Sequence, residues 1–369
     1  MQLDAELLNT VRGSADVIDR ERALPVYLVD ALHDAGAFRA LIPRACGGLE
    51  TPLPDYLDTV RELAMADAST AWCVNQGAVI GTTTLWLPLD AIHELWANPR
   101  QCVANGPPLE TRLEATAAGG RVTGRWGFSS GCRHALTMTG AVRRADDGAW
   151  RVVFFPVARA AFEDDWHTAG LRGTGSLRFS VNELVVPERF VTNLAARPTV
   201  DSPLTRLATG LVFAVTFASL ALGVARRGLD ITLELASEKK PIYARDALRE
   251  DPTVHDRLGR LEARWRAAQA YLREDVHAVW EAIHHQDAMS ENQRARWRLA
   301  GTHVLREAVD AMRGAYEICG STAIYAGDPL HRPWQDMQVI AQHVQARAQY
   351  YAFSGRYLTG HPYEYGPLS

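Results

Sequence analysis

The stretch Trp126-Gly-Phe-Ser-Ser-Gly-Cys-Arg-His134 sets two hydroxyls, a glycine and a histidine directly after an alternating run, Arg121-Val-Thr-Gly-Arg-Trp-Gly-Phe128. Alternation reads as a half-buried strand. Phe128, Ser129, Ser130 and Gly131 then fall at a strand end, where hydroxyls and peptide groups can hold a planar ligand. Ser-Ser-Gly is first of all a turn signal, so the plain turn stands beside the ligand site. His343, in Trp334-Gln-Asp-Met-Gln-Val-Ile-Ala-Gln-His343-Val, sits on the apolar stripe of a helix that the spacing predicts. A lone histidine there is by default a packing residue. Its ordinary pKa of about 6.5 also suits a general base for a phenol or peroxide proton.

Other motifs carry less. Gly173-Thr-Gly175 lacks the third glycine of a dinucleotide loop, and a strand pattern follows where a helix should open. His284-His285 has no third ligand at metal spacing, and no zinc-protease motif, phosphate loop or nucleophile elbow occurs. No metal site is expected, and nothing reads as a hydrolase.

These residues need elements to position them. From Leu3 to about Trp96 apolar residues recur at three- and four-residue spacing, as in Tyr56, Leu57, Val60, Leu63 and Ala64. Ser69 or Thr70 is the expected N-cap of the helix through Trp72. Between Gln101 and Arg189 short runs rich in β-branched and aromatic residues are separated by glycine turns, which predicts a small barrel or sandwich. Beyond Pro203 the helical period returns in four stripes, the last through Met337, Ile340, Val344 and Ala348, which predicts a bundle. The expected fold is mainly α with a central β-domain: a helical domain over 1–100, a β-domain over 101–195 and a four-helix bundle over 196–369.

The 369 residues are 47% hydrophobic and 22% charged, with a net charge of −4 and interspersed signs, so neither disorder nor a nucleic-acid partner is expected. Five scattered cysteines without a Cys-x-x-Cys pair predict reduced thiols and a cytoplasmic protein. The acidic N-terminus does not read as a signal peptide, and Leu207 to Val224 reads as a buried helix rather than a membrane span.

The order helices, β-domain, bundle resembles the acyl-CoA dehydrogenase fold over nearly the whole chain. Trp126 to Gly131 looks like the segment that lies against the flavin ring. Trp166-His-Thr-Ala-Gly-Leu-Arg-Gly-Thr-Gly-Ser176, followed by Val185-Val-Pro-Glu188, looks like a second signature. Glu317-Ile-Cys-Gly-Ser-Thr-Ala-Ile-Tyr325 with His331-Arg-Pro-Trp-Gln-Asp336 resembles the C-terminal signature, where a neighbouring subunit reaches the cofactor. Within the fold the chain is most similar to the two-component flavin-dependent monooxygenases. The dehydrogenases' catalytic glutamate would fall at Val344, whereas the hydroxylases' histidine in this helix is matched by His343.

The resemblance implies reduced flavin (FMNH2 or FADH2) delivered by a separate NAD(P)H:flavin reductase, O2 as co-substrate, and hydroxylation of a small aromatic or polyketide-like substrate through a C4a-hydroperoxide. The flavin would lie between β-domain and bundle. Ser130 would meet flavin N5, Phe128, Ser129 and Gly131 would lie beside the ring, and Gly320 and Ser321 would reach the cofactor of another copy in a homotetramer. His343 would deprotonate the substrate or stabilise the peroxide. A second histidine found in many hydroxylase relatives is replaced near Trp72 by Asn75 and Gln76, which would stand in as hydrogen-bonding groups in the substrate pocket. Nitrogen or sulfur oxidation fits the same frame, and an acyl-CoA dehydrogenase or oxidase, or a catalytically silent binding subunit, remains the alternative.

Overall fold

The computed structural model describes residues 3–117, 119–241 and 246–366. Within them five helices come first: α1 (Ala5–Glu21), α2 (Val26–Asp34), α3 (Leu53–Ala66), α4 (Ala68–Gly81) and α5 (Leu89–Trp96). The N-cap of α4 is Asp67 rather than Ser69 or Thr70. Its carboxylate accepts the Thr70 N–H at 2.6 Å and the Thr70 hydroxyl at 2.7 Å. A carboxylate satisfies two donors at a helix start and also suits the positive end of the helix dipole.

Eight strands follow among the described residues: β1 (Val103–Gly106), β2 (Pro108–Thr116), β3 (Gly119–Ser129), β4 (Thr137–Arg143), β5 (Trp150–Pro156), β6 (Ala161–Glu163), β7 (Leu177–Val186) and β8 (Val191–Thr192). They form two four-stranded sheets, ordered β1-β4-β5-β8 and β2-β3-β7-β6. Both sheets feed one core, in which Val122, Trp126, Met138, Val153 and Phe179 are buried together. Trp126 stacks on Phe179 with ring centres 4.8 Å apart, and its indole N–H donates to the Ala141 carbonyl. An aromatic pair with its polar edge satisfied is a strong anchor for a small β-domain.

The C-terminal helices are α6 (Thr209–Glu238), α7 (Pro252–Ile283), α8 (Glu291–Cys319), α9 (His331–Ile340) and α10 (Gln349–Leu358). Asp251 caps α7 ahead of Pro252, and Ser290 with Gln293 forms a reciprocal capping box on α8. The most apolar helix is α6, long enough to span a membrane, but 78% of its apolar window is buried inside the protein. It serves as a core helix. A Cβ on Gly223 would stand 2.3 Å from the Arg61 carbonyl oxygen, so the missing side chain lets α6 approach α3. The fourth apolar stripe is not one long helix. It breaks after Ile340 into α9, a single 3-10 turn at Val344–Ala346, and α10.

The chain divides into two compact units: Met1–Tyr56 with Trp72–His167 and Arg172–Thr209, and Leu57–Ala71 with Thr168–Leu171 and Gly210–Ser369. All five cysteines are buried, and none forms a disulfide among the described residues.

Candidate active site

In the first unit the site is built where β3 ends. Alternation along β3 sends Val122 and Trp126 inward and Thr123 and Arg125 outward. The pairing with β7 then shifts between Trp126 and Ser129, a bulge that lets Ser129 point inward again. Phe128 takes up the distortion with φ of +54° and leaves its ring 65% exposed. A bulky residue in the left-handed region is strained, and such strain concentrates at ligand sites. The Trp166 ring meets Phe128 edge-on at 6.1 Å. Gly131 has φ of +78°, and its N–H donates to the Thr174 carbonyl at 2.9 Å.

Ser130 is buried and already engaged. Its Oγ accepts the Trp72 indole N–H at 3.0 Å and shares a hydrogen bond with Ser176 Oγ at 2.7 Å. Ser176 in turn shares one with Thr174 Oγ1 at 2.6 Å. The sequence alone does not single out Trp72, Thr174 and Ser176 as site residues. Thr174 and Ser176 fall in the Gly-Thr-Gly-Ser run, within the stretch that resembles the second signature, and Trp72 stands only as the helix residue before Asn75 and Gln76.

Among the described residues of this unit three further side chains, Ser129, Asn75 and His134 through its Nε2, have buried polar atoms without a hydrogen-bond partner. Ser129 Oγ is buried without a hydrogen-bond partner, and Asn75 is fully buried with both its amide nitrogen and its amide oxygen unpartnered. Each such atom costs about 1–3 kcal/mol unless a ligand or water meets it. Gln76 differs from its neighbour, because its amide nitrogen donates to Asn105 Oδ1 at 2.6 Å. His134 is half-buried and packs against Phe38, with ring centres 5.2 Å apart. Burial, with His33 nearby, pulls its pKa down to about 4, so it is neutral at pH 7.

In the second unit His343 does not lie within a long helix, contrary to the sequence expectation. It is the N-cap of the 3-10 turn, and its Nδ1 accepts the Gln345 N–H at 3.4 Å. The ring meets Phe217 of α6 edge-on at 4.6 Å. Burial, then the neighbouring Arg347, lowers its pKa to about 4. With Nδ1 accepting, the proton of the neutral ring belongs on Nε2. With Nδ1 engaged, Nε2–H is the donor that the ring can offer. Val344, where the resemblance places the dehydrogenases' glutamate, starts the turn itself.

The same unit fixes the C-terminal signature. Asp336 is buried and accepts the Leu171 N–H at 2.6 Å. Gly320 ends α8 with φ 57° and ψ −145°, a conformation open essentially to glycine alone. Lys239 Nζ donates to the Cys319 carbonyl at 2.6 Å and to Thr322 Oγ1 at 2.7 Å, so it holds the loop that carries Gly320 and Ser321. Gly320 and Ser321 are both exposed there.

The fold is that of the acyl-CoA dehydrogenases, and residues 215–348 match the family described as acyl-CoA dehydrogenase, C-terminal domain. The 3-HSA hydroxylase from Rhodococcus sp. RHA1 superimposes with a TM-score of 0.90 over 99% of this chain and 97% of that one, at 24% identity. The chain is 32% identical over 344 residues to the indole-3-acetate monooxygenase of Pseudomonas putida, covering 91% of this chain and 88% of the relative. It is 26% identical over 351 residues to HsaA of Rhodococcus jostii, the oxygenase subunit of a flavin-dependent monooxygenase, covering 91% of each. The chain belongs to the flavin-dependent monooxygenases built on this fold.

Proposed function

We propose that this chain is the oxygenase component of a two-component system. It takes FMNH2 or FADH2 from a separate NAD(P)H:flavin reductase, uses O2, and hydroxylates a small aromatic or polyketide-like substrate in the cytoplasm. The observation that carries the reading is the pair His343 and Val344: a half-buried, neutral imidazole stands next to the position where a dehydrogenase would need a carboxylate. Valine cannot remove the α-proton of an acyl thioester.

The residues at the end of β3 fit a flavin. Ser129 supplies an unspent buried hydroxyl, and Phe128 is held in a strained, outward pose beside it. Reduced flavin, once bound, supplies through its C4a carbon an electrophilic oxygen derived from O2. Ser130 serves N5. Trp72 occupies one lone pair of its oxygen, while the Ser130, Ser176 and Thr174 hydroxyls can reverse their donor order. Ser130 can therefore accept from the N5–H of reduced flavin and donate to the bare N5 of the oxidised form. Phe128 and Gly131 flank the ring, and Gly320 and Ser321 reach the cofactor of another copy in a homotetramer.

His343 would donate an Nε2–H hydrogen bond to the negative charge that develops on the reacting oxygen, without transferring the proton, and Asn75, with Gln76 beside it, would orient the substrate. Because the lone pair of His343 Nδ1 is taken up by the Gln345 N–H, and amides stand where many hydroxylase relatives carry a second histidine, the substrate class that fits is one already nucleophilic without deprotonation. An indole-type ring carbon meets that requirement, and the name of the Pseudomonas putida relative points the same way. Water must be kept out, since a wet site releases hydrogen peroxide instead of product.

The test is anaerobic mixing of the protein with reduced flavin, followed by oxygen, with near-ultraviolet and visible absorbance recorded. A persistent absorbing species distinct from oxidised flavin is expected. Reoxidation at the rate of free flavin, together with bleaching of bound flavin by an acyl-CoA, would overturn the reading in favour of a dehydrogenase.

A further inference from the structure

Arg298 is an arginine that the second unit buries almost completely, with 2% of its surface exposed on α8. Among the described residues no carboxylate pairs with it, and its Nη2 has no hydrogen-bond partner within normal geometry. The Tyr350 ring lies over the guanidinium at 4.4 Å, and Tyr363 adds a further favourable polar contact. Burying a cation among neutral groups is expensive, and a leucine or methionine would ordinarily fill such a place at less cost. The charge therefore calls for a task.

Its closest hydrogen bond shows where that task lies. Arg298 Nη1 donates to Gln345 Oε1 at 2.5 Å. The other end of the same amide donates from Nε2 to the Gly210 carbonyl in the first turn of α6, at 3.0 Å. Gln345 is itself 2% exposed and is held at both ends of its side chain. Its backbone N–H is the group that meets His343 Nδ1. At 3.4 Å that bond is weak, so it endures only if the peptide is held still.

We infer that Arg298 is a positioning residue: by clamping the Gln345 side chain it holds the Gln345 N–H against His343 Nδ1, and so fixes the imidazole as the tautomer that presents Nε2–H. The two hydrogen bonds of the amide cross from α8 to α6, and the 3-10 turn between α9 and α10 is pinned at their meeting point. A purely structural role for Arg298, as a strut beneath Tyr350, would leave the tautomer of His343 indifferent to its removal.

The inference rests on the proposed role of His343, and the experiment separates the two. Protein labelled with ring-15N histidine is studied by magic-angle-spinning NMR near pH 7.5 without flavin, the His343 signals being assigned by their loss in H343Q. The wild type is expected to show a protonated Nε2 and an unprotonated, accepting Nδ1. R298M is expected to lose this single form and give a mixture of both tautomers, and R298K, whose ammonium can still reach Gln345, to recover it. If R298M does not fold, R298Q takes its place, since its shorter amide cannot span to Gln345. An Nδ1–H tautomer in the wild type, or an unchanged tautomer in the folded methionine or glutamine variant, would overturn the inference. The function of His343 is read separately from H343A, in which reduced-flavin binding should be intact and product formed per flavin oxidised should fall several-fold. If coupling in H343A is unchanged while R298M scrambles the tautomer, the positioning stands and the catalytic reading of His343 falls.

Discussion

Ser130 is tied to Trp72 and Ser176 before any ligand arrives, and that sets what a substitution beside it should do. Ser176→Ala removes the hydroxyl through which Ser130 reverses its hydrogen bonding, while a methyl fills most of the space. The loss of one hydrogen bond of about 1 kcal/mol should weaken reduced-flavin binding roughly fivefold, as measured by anaerobic titration. Asn75 offers the opposite case. Its amide is fully buried and unmet, so Asn75→Leu, close in shape, should raise the stability of the ligand-free protein by about 1–2 kcal/mol while product formation drops. A urea-denaturation midpoint that falls instead would mean that the amide is hydrogen-bonded in solution, and its place in the substrate pocket would be withdrawn.

At the scale of the element, much of the arrangement was legible because burial repeats with a period. Thr123 out, Trp126 in and Ser129 at the strand end all follow from the alternation in β3. The bulge that turns Phe128 outward was not legible, since it is decided by pairing with β7, a strand far away in the chain. The break after Ile340 was hidden for a different reason. Met337, Ile340, Val344 and Ala348 keep helical spacing, and no glycine or proline interrupts them. What stops the helix is a histidine ring capping the next turn, a choice that Arg298 and Gln345 support from α8 and from the turn itself. The cap of α4 was a contest among Asp67, Ser69 and Thr70, all good capping types. Asp67→Ala should lower stability by about 1 kcal/mol, measured by urea denaturation, whereas Ser69→Ala should change it little.

For the whole molecule, three histidines, His33 buried and His134 and His343 half-buried, govern the response to acid. His33, His134 and His343 each have a pKa lowered to about 4, with burial the main cause in every case. Between about pH 6.5 and pH 4 the unfolded chain binds these protons and the folded chain does not, so folding stability rises with pH across that window and is lost as pH falls through it. Each histidine accounts for at most about 3 kcal/mol. The melting temperature should therefore decline steeply below about pH 6.5 and depend little on pH between about 7 and 8. A His134→Phe variant that folds should flatten the acid limb.

The five buried thiols bear on how long such an enzyme survives its own reaction. Under the proposed function a turnover that miscarries would shed hydrogen peroxide inside the protein's own solvent shell, and peroxide attacks sulfur as thiolate. Burial pushes the Cys132 thiol up to about 11 and raises those of Cys46, Cys102 and Cys319 as well, so at these four sulfurs sulfenic acid formation lacks its reactive species at neutral pH. The interior placement of sulfur gives the folded catalyst a chemical endurance that its unfolded chain does not possess.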